Sequence, residues 1–129
     1  MNIKLEVVGL VVADMKATLD FYRLLGIEIP GEADKEGHVE AQLAGGFRLA
    51  FDTVEVMKSF DPGWSPPSGT PRIALAFLCS GPAEVDAKYA ELTGLGYEAH
   101  KAPWDAFWGQ RYAQVRDPDG NGVDLFAAL

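Results

Sequence analysis

The feature that most constrains this sequence is an internal duplication, in which each half carries an apolar strand, a helix and three further strands. Residues 3–12 are β-branched and apolar, which predicts a strand. Asp14 then predicts a helix N-cap, residues 15–25 carry apolar side chains at helical spacing, and Gly26 predicts the helix end. Three more strand candidates follow at residues 27–33, 38–44 and 47–54.

The second half repeats this order of elements. Residues 72–78 predict a strand, and Ser80 predicts the N-cap of a second helix that ends at Gly94 or Gly96. Further strand candidates lie at residues 97–102, 110–116 and 122–127. The agreement in order extends to short sequence matches, which supports a true repeat.

The repeat predicts an α+β fold of two tandem βαβββ modules within a single domain. Module 1 spans about residues 1–57, a linker rich in proline and glycine spans 58–70, and module 2 spans about 71–129. A helix covers only one face of each four-stranded sheet, so the other face must be buried or lined with polar groups. Two such faces opposed to each other predict a half-barrel cleft.

Strand alternation selects the residues that face this cleft. Ile73, Leu75 and Phe77 are expected to pack inward, whereas small residues leave the floor of the cleft open. A concavity with a few convergent polar groups is typical of a small-molecule site. The alternative is a closed cleft whose arginines and aspartates pair with each other. The polar candidates are Arg72, Asp124, Tyr112, Gln42, Gln114 and Arg48.

Charge and cysteine content exclude several classes of protein. The chain of 129 residues has 19 acidic and 11 basic side chains, a net charge of −8, and no basic cluster. We therefore expect neither nucleic-acid binding nor attachment to an anionic membrane. Cys79 is the single cysteine, so neither a disulfide within the chain nor a cysteine zinc site is expected. The sequence starts without the pattern of a signal peptide and lacks a long apolar run, which favours a cytoplasmic protein.

The motifs of the two halves resemble those of the glyoxalase, bleomycin-resistance and extradiol-dioxygenase superfamily, also called the vicinal oxygen chelate fold. The resemblance covers essentially the whole chain. Its elements are the strand-and-helix signature of residues 8–14, Phe-Tyr at 21–22 with Leu-Gly at 25–26, Trp-Gly-Gln-Arg-Tyr at 108–112, and Asp-Pro-Asp-Gly-Asn at 117–121.

Enzymes of this superfamily hold a divalent metal at four symmetric strand positions, with His and Glu as the usual ligands. The resemblance places these positions at Val7, Ala50 (or Leu49 after a shift by one), Arg72 and Asp124. Only Asp124 among them could bind a metal, so no metal and no cofactor are expected. His38 and His100 lie outside the four positions and are expected at the surface.

The resemblance therefore points to the metal-free, bleomycin-resistance-like binding proteins. Their expected ligand is a planar aromatic molecule, with cationic antibiotics as candidates, because aromatic faces stack on flat rings and attract cations. Trp64 and Trp108 are candidate contacts, and Trp104 and Phe107 lie near Trp108. The alternatives are a lyase, isomerase or dioxygenase that uses a metal at a non-standard site, and a regulatory dimer with a vestigial cleft.

Arg72 and Asp124 occupy two of the former metal positions, and two interpretations of the pair remain open. They either form an ion pair that replaces the metal, or each contacts the ligand, with Arg72 on a carboxylate or carbonyl and Asp124 on an amine or hydroxyl. The resemblance also implies a homodimer.

Overall fold

The computed structural model describes residues 2–129, which divide into two compact units. The N-terminal unit ends at Ser68, and the C-terminal unit spans Gly69–Leu129. Each unit contains one mixed β-sheet, of three strands in the first and four in the second. The predicted α+β class is confirmed. Within residues 2–129, none of the helices is both long and apolar enough to span a bilayer.

The sheet of the N-terminal unit has the strand order β1-β3-β2, with β1 parallel and β2 antiparallel to the central strand. Burial alternates along β2, where Val39 and Ala41 are buried and the other three residues are exposed. One sheet face therefore packs inward and the other does not. The elements are β1 (Val7–Val12), α1 (Met15–Leu24), β2 (His38–Gln42), β3 (Arg48–Thr53) and α2 (Val54–Phe60).

Helix α1 begins and ends as predicted. The side chain of Asp14 accepts a hydrogen bond from the backbone N–H of Ala17, as an N-cap does. Gly26 follows the helix with a φ of 89°, a conformation that costs glycine little. Leu19 and Tyr22 are fully buried on the face that the periodicity selected, and Tyr22 contacts the ring of Phe51 on β3.

The strand predicted at residues 27–33 is wrong, so the first half has three strands and not four. A short 3-10 helix, Gly31–Lys35, occupies part of this segment. Arg23 donates hydrogen bonds to the backbone carbonyls of Ile29 (3.0 Å) and Pro30 (2.8 Å). Since Pro30 also lacks a backbone N–H, this segment has few groups left for a strand ladder.

Helix α2 was missed by the sequence analysis, and its last three residues fall inside the predicted linker. Thr53 caps it, because its hydroxyl accepts a hydrogen bond from the N–H of Val56 at 3.2 Å. The helix is a single seven-residue segment directly after β3, so the strand prediction for 47–54 concealed its start. Because Thr53 both ends β3 and caps α2, the sequence shows no break between the strand and the helix.

The sheet of the C-terminal unit has the order β4-β7-β6-β5, with β4 parallel to β7 and the other pairs antiparallel. Helix α3 packs on one face of this sheet through Val85 and Leu92, opposite the buried Val115, Val123 and Leu125. The elements are β4 (Ala74–Leu78), α3 (Pro82–Gly94), β5 (Ala99–Asp105), β6 (Gln110–Arg116) and β7 (Gly122–Ala128).

Two local predictions in this unit are corrected. The N-cap of α3 is Gly81 and not Ser80, whose backbone N–H instead donates a hydrogen bond of 2.8 Å to the carboxylate of Glu84. Strand β4 begins at Ala74, so Arg72 lies in a bend before it. Ile73, which was expected to pack inward, is 78% exposed because it precedes the paired part of the strand.

Candidate functional site

One face of the C-terminal sheet carries polar and aromatic side chains where the other carries the core. In the ladder between β6 and β7, Tyr112 lies opposite Phe126, Gln114 opposite Asp124, and Arg116 opposite Gly122. Their neighbours in sequence, such as Ala113 and Leu125, are fully buried on the opposite face. We call the first set the polar face, and it includes the exposed residues Ala74 and Ala76 of β4.

A pocket of about 180 Å³ lies at one end of the polar face, entirely within the C-terminal unit. It brings together three of the residues predicted from the sequence: Arg72, Gln114 and Asp124. Gly122 forms part of the floor, where an added Cβ would lie 3.2 Å from the Cβ of Ala74. The full lining is Thr70, Pro71, Arg72, Ile73, Ala74, His100, Gln114, Arg116, Gly122 and Asp124.

Sequence reasoning missed two of the ionisable side chains in this lining, His100 and Arg116. His100 was expected only as a surface residue, and it is exposed, but it also borders the pocket. Arg116 was not selected at all, although it continues the alternation of Tyr112 and Gln114 along β6. The sequence pattern could therefore have identified Arg116, because every second residue of a strand lies on the same face.

Asp124 is the buried acid of the site, with 6% of its surface exposed. Its carboxylate accepts a hydrogen bond of 2.6 Å from the hydroxyl of Tyr112 and a longer contact of 3.4 Å from the amide of Gln114. Burial, and then this bond to Asp124, raise the pKa of Tyr112 to about 12. Tyr112 is therefore a firmly protonated donor at neutral pH, and it satisfies a carboxylate that would otherwise be costly to bury.

The ion pair weighed for Arg72 and Asp124 is not formed. Among residues 2–129, neither Arg72 nor Arg116 forms an ion pair, although both border the pocket that contains Asp124. Asp124 is satisfied by neutral donors, because Tyr112 is its diagonal neighbour on the adjacent strand and places its hydroxyl 2.6 Å from the carboxylate. The guanidinium groups are left available to a ligand.

Aromatic side chains continue the polar face beyond Tyr112. Trp104 and Trp108 contact the Tyr112 ring edge-on, with ring centres 5.5 Å and 5.3 Å away. Phe126 stacks on the same ring at 6.2 Å, and Phe107 packs on Trp108 at 5.0 Å. Phe107 is 97% exposed and Trp108 is 48% exposed. Flat apolar rings are thus presented on the surface, and edge-to-face contacts between them are favourable.

In the N-terminal unit, charged side chains of β2 and β3 form a continuous row of hydrogen bonds. His38 lies between the carboxylates of Asp52 (2.5 Å) and Glu40 (2.8 Å), and Glu40 also accepts from Arg48 at 2.6 Å. The bonds to Glu40 and then to Asp52 raise the pKa of His38. Arg48 additionally pairs with Glu6 at 2.9 Å, so this predicted binding residue is already held by two acids.

The two other predicted contacts also lie in the N-terminal unit. Gln42 is exposed at the end of β2, opposite Arg48 in the ladder. Trp64 is partly buried in the loop after α2, where its backbone N–H donates to the carbonyl of Asp61. Neither borders the pocket of the C-terminal unit.

The residues at the four superfamily metal positions do not fit a metal. The side chains of Val7 and Ala50 have no donor atom, Arg72 is a cation, and the carboxylate of Asp124 is taken by Tyr112. In the described part of the chain, no three His, Cys, Asp or Glu side chains are grouped so as to hold an ion.

Comparison with solved structures shows the same fold at low sequence identity. A glyoxalase/bleomycin resistance protein/dioxygenase family enzyme from Burkholderia phytofirmans PsJN superposes with a TM-score of 0.83 at 20% identity, covering 98% of this chain and 100% of that one. A glyoxalase-related enzyme from Fulvimarina pelagi gives 0.78 at 23% identity, with 96% and 87% covered. Lactoylglutathione lyase from Agrobacterium tumefaciens gives 0.64 at 21%, with 96% and 92% covered.

No curated protein matches the sequence. The model of one protein family does match, over residues 4–125 and hence nearly the whole chain. Together with the strand and helix order of both units, this match confirms the resemblance seen in the motifs. The chain belongs to the Glyoxalase/Bleomycin resistance protein/Dioxygenase superfamily.

Proposed function

We propose that this protein binds a planar small molecule on the polar face of its C-terminal unit, without a bound metal. The proposal rests on one observation, which is that aromatic and polar side chains form one unbroken surface on that face. A surface of aromatic rings joins a polar pocket through one hydrogen-bonded pair, Tyr112 and Asp124. Ligand sites commonly combine an apolar contact surface with a few fixed polar groups.

The aromatic rings supply the apolar half of such a site. Trp108 and Phe107 remain exposed, while Trp104 and Tyr112 hold Trp108 from the side. The indole N–H of Trp108 donates to Gln110 at 2.8 Å, which fixes the orientation of its ring. An oriented, exposed ring loses little conformational entropy when a flat ligand stacks on it.

The pocket supplies the polar half. Gln114 and Thr70 offer uncharged hydrogen-bonding groups, and Arg72 offers a planar guanidinium. A volume of about 180 Å³ suits one ring with its substituent and not a large drug. Sequestration of an antibiotic is one form that such binding takes in the superfamily that the chain resembles.

Calorimetric titration with 2-naphthamide, a flat and neutral molecule, tests the proposal. Trp108→Ala should weaken binding about tenfold, because stacking on a tryptophan contributes on the order of 1 kcal/mol or more. Phe60→Ala is the matched control, since Phe60 is an exposed aromatic (66%) of the N-terminal unit. Equal affinity for wild type and Trp108→Ala, or a lack of any binding, would refute the proposal.

The rival function is a lyase, isomerase or dioxygenase that uses a metal elsewhere in the chain. Incubation with Zn²⁺, Ni²⁺, Mn²⁺ and Fe²⁺, followed by desalting and metal analysis, separates the two. We expect less than one bound ion per chain, because only Asp124 of the four positions offers a ligand atom. A stoichiometric metal would support the enzyme and indicate His38, Glu40 and His100 as candidate ligands.

The homodimer and the cytoplasmic location stay predictions.

A further inference from the structure

We propose that the pocket of the C-terminal unit binds an anionic group of the ligand, a carboxylate, through Arg72 and Arg116. This inference rests on the proposed function, since it names the chemistry of the molecule that the polar face would bind. It also reverses the charge of the cationic antibiotics that the family resemblance suggested as candidate ligands. The local charges at the pocket, and not the net charge, decide which ligand is stabilised there.

The arginines of this chain divide into two groups. Three of them each bind two carboxylates, at distances of 2.6–3.1 Å. These are Arg23 with Asp20 and Asp34, Arg48 with Glu6 and Glu40, and Arg111 with Asp86 and Asp105. The remaining two, Arg72 and Arg116, form no ion pair within residues 2–129. Both border the same pocket.

This separation is unexpected in a chain with 19 acidic and 11 basic side chains. Acids are abundant enough to pair every arginine, yet the two without an acidic partner lie together. Arg116 is also partly buried on β6, where an unpaired charge is less well solvated than at the open surface. An incoming anion would relieve that cost and gain charge-assisted hydrogen bonds.

The one acid of the pocket does not cancel this charge. Asp124 is buried and holds the hydroxyl of Tyr112, so its negative charge is already partly compensated. Two guanidinium groups against one carboxylate leave the lining with a formal charge of about +1 before His100 is counted. A cationic ligand would be repelled by this positive charge, whereas a carboxylate could accept two parallel N–H bonds from a guanidinium.

The experiment uses three ligands of matched shape: 2-naphthoate, 2-naphthamide and 2-naphthylmethylammonium. Calorimetric titration of the full chain at low salt should give naphthoate an affinity at least about tenfold higher than the amide. The ammonium should bind more weakly than the amide. Added NaCl should reduce the preference for naphthoate, because chloride and screening weaken ionic contacts.

Substitutions then identify the side chains that cause the preference for naphthoate over the amide. Arg72→Gln and Arg116→Gln should each reduce the naphthoate-to-amide ratio several-fold, and the double variant should abolish it. Lys58→Gln is the matched control, since it removes one exposed cation of α2 and changes the net charge equally. Far-UV circular dichroism and the midpoint of urea unfolding, both unchanged from wild type, show that each variant folds, and Lys58→Gln should bind the amide as wild type does.

The outcomes separate the two proposals. Equal binding of all three ligands would refute the anion site and leave the proposed function standing. A preference for naphthoate that survives in the double variant would also refute it, because the charge would then act elsewhere. Failure of naphthoate and the amide alike would refute the planar-ligand function, and the anion site with it.

Discussion

Replacement of Tyr112 by phenylalanine probes the bond on which the whole site is built. The variant keeps the aromatic ring, and thus its contacts with Trp104, Trp108 and Phe126, but removes the hydroxyl that lies 2.6 Å from Asp124. The carboxylate of Asp124, only 6% exposed, would retain the long 3.4 Å contact to Gln114. A buried charge would therefore lose its principal donor.

The expected loss of unfolding free energy follows from that geometry. A hydrogen bond to a charged group contributes about 1.5–3 kcal/mol, and its removal leaves a buried carboxylate unsatisfied. Tyr112 is only partly buried, so water can replace part of the lost bond. We therefore expect Tyr112→Phe to lower the free energy of unfolding by about 2 kcal/mol at pH 8.

The pH dependence gives a second, independent signature. The pKa of Tyr112 is raised from 10.0 to about 12 in the folded chain, so folding favours the protonated phenol. Its contribution is fully present below pH 10 and is lost as pH rises through the folded value. By pH 11 the advantage of wild type over Tyr112→Phe should have shrunk by about 1 kcal/mol.

Urea unfolding monitored by tryptophan fluorescence, at pH 8 and pH 11, measures both quantities. Tyr89→Phe serves as the control, because within residues 2–129 no hydrogen bond is found for the Tyr89 hydroxyl on α3. That variant should change stability by less than about 0.5 kcal/mol. A Tyr112→Phe variant as stable as Tyr89→Phe, or an advantage that stays constant between the two pH values, would refute the reasoning.

Asp117→Ala should cost about 2–4 kcal/mol in urea unfolding, because it removes the buried carboxylate that accepts hydrogen bonds from the backbone N–H of Asp119 and from both the backbone N–H and the amide of Asn121. A loss below 1 kcal/mol would contradict this account of the turn between β6 and β7. His38 should titrate above its usual pKa in an NMR experiment, since Glu40 and Asp52 stabilise its protonated form. Its stabilising contribution is present in acid and is lost as pH rises through that raised value, so the gap between wild type and His38→Gln should be larger at pH 5.5 than at pH 8.5. A gap independent of pH would show that the two carboxylates do not act on it.

Much of the fold could be predicted because the signals are local. The N-cap at Asp14 and the glycine after α1 depend only on neighbouring backbone groups, and both are confirmed. Strand β6 spans Gln110–Arg116, the range that its alternating pattern predicted. By contrast, residues 27–33 were predicted as a strand, and the contacts of Arg23 with the carbonyls of Ile29 and Pro30, which help to prevent one, appear only in the tertiary structure.

The sequence by itself determined the family and the shared sheet face of Tyr112 and Gln114, because strand alternation assigns a face without knowledge of partners. The tertiary structure alone decided which side chains meet. Asp124 takes its hydrogen bond from Tyr112 on the adjacent strand, while Arg72 lies in the bend before β4 and forms no ion pair among the described residues. The physical reason is that hydrogen bonds depend on register and distances within about 3 Å, which a pattern of residue types does not contain.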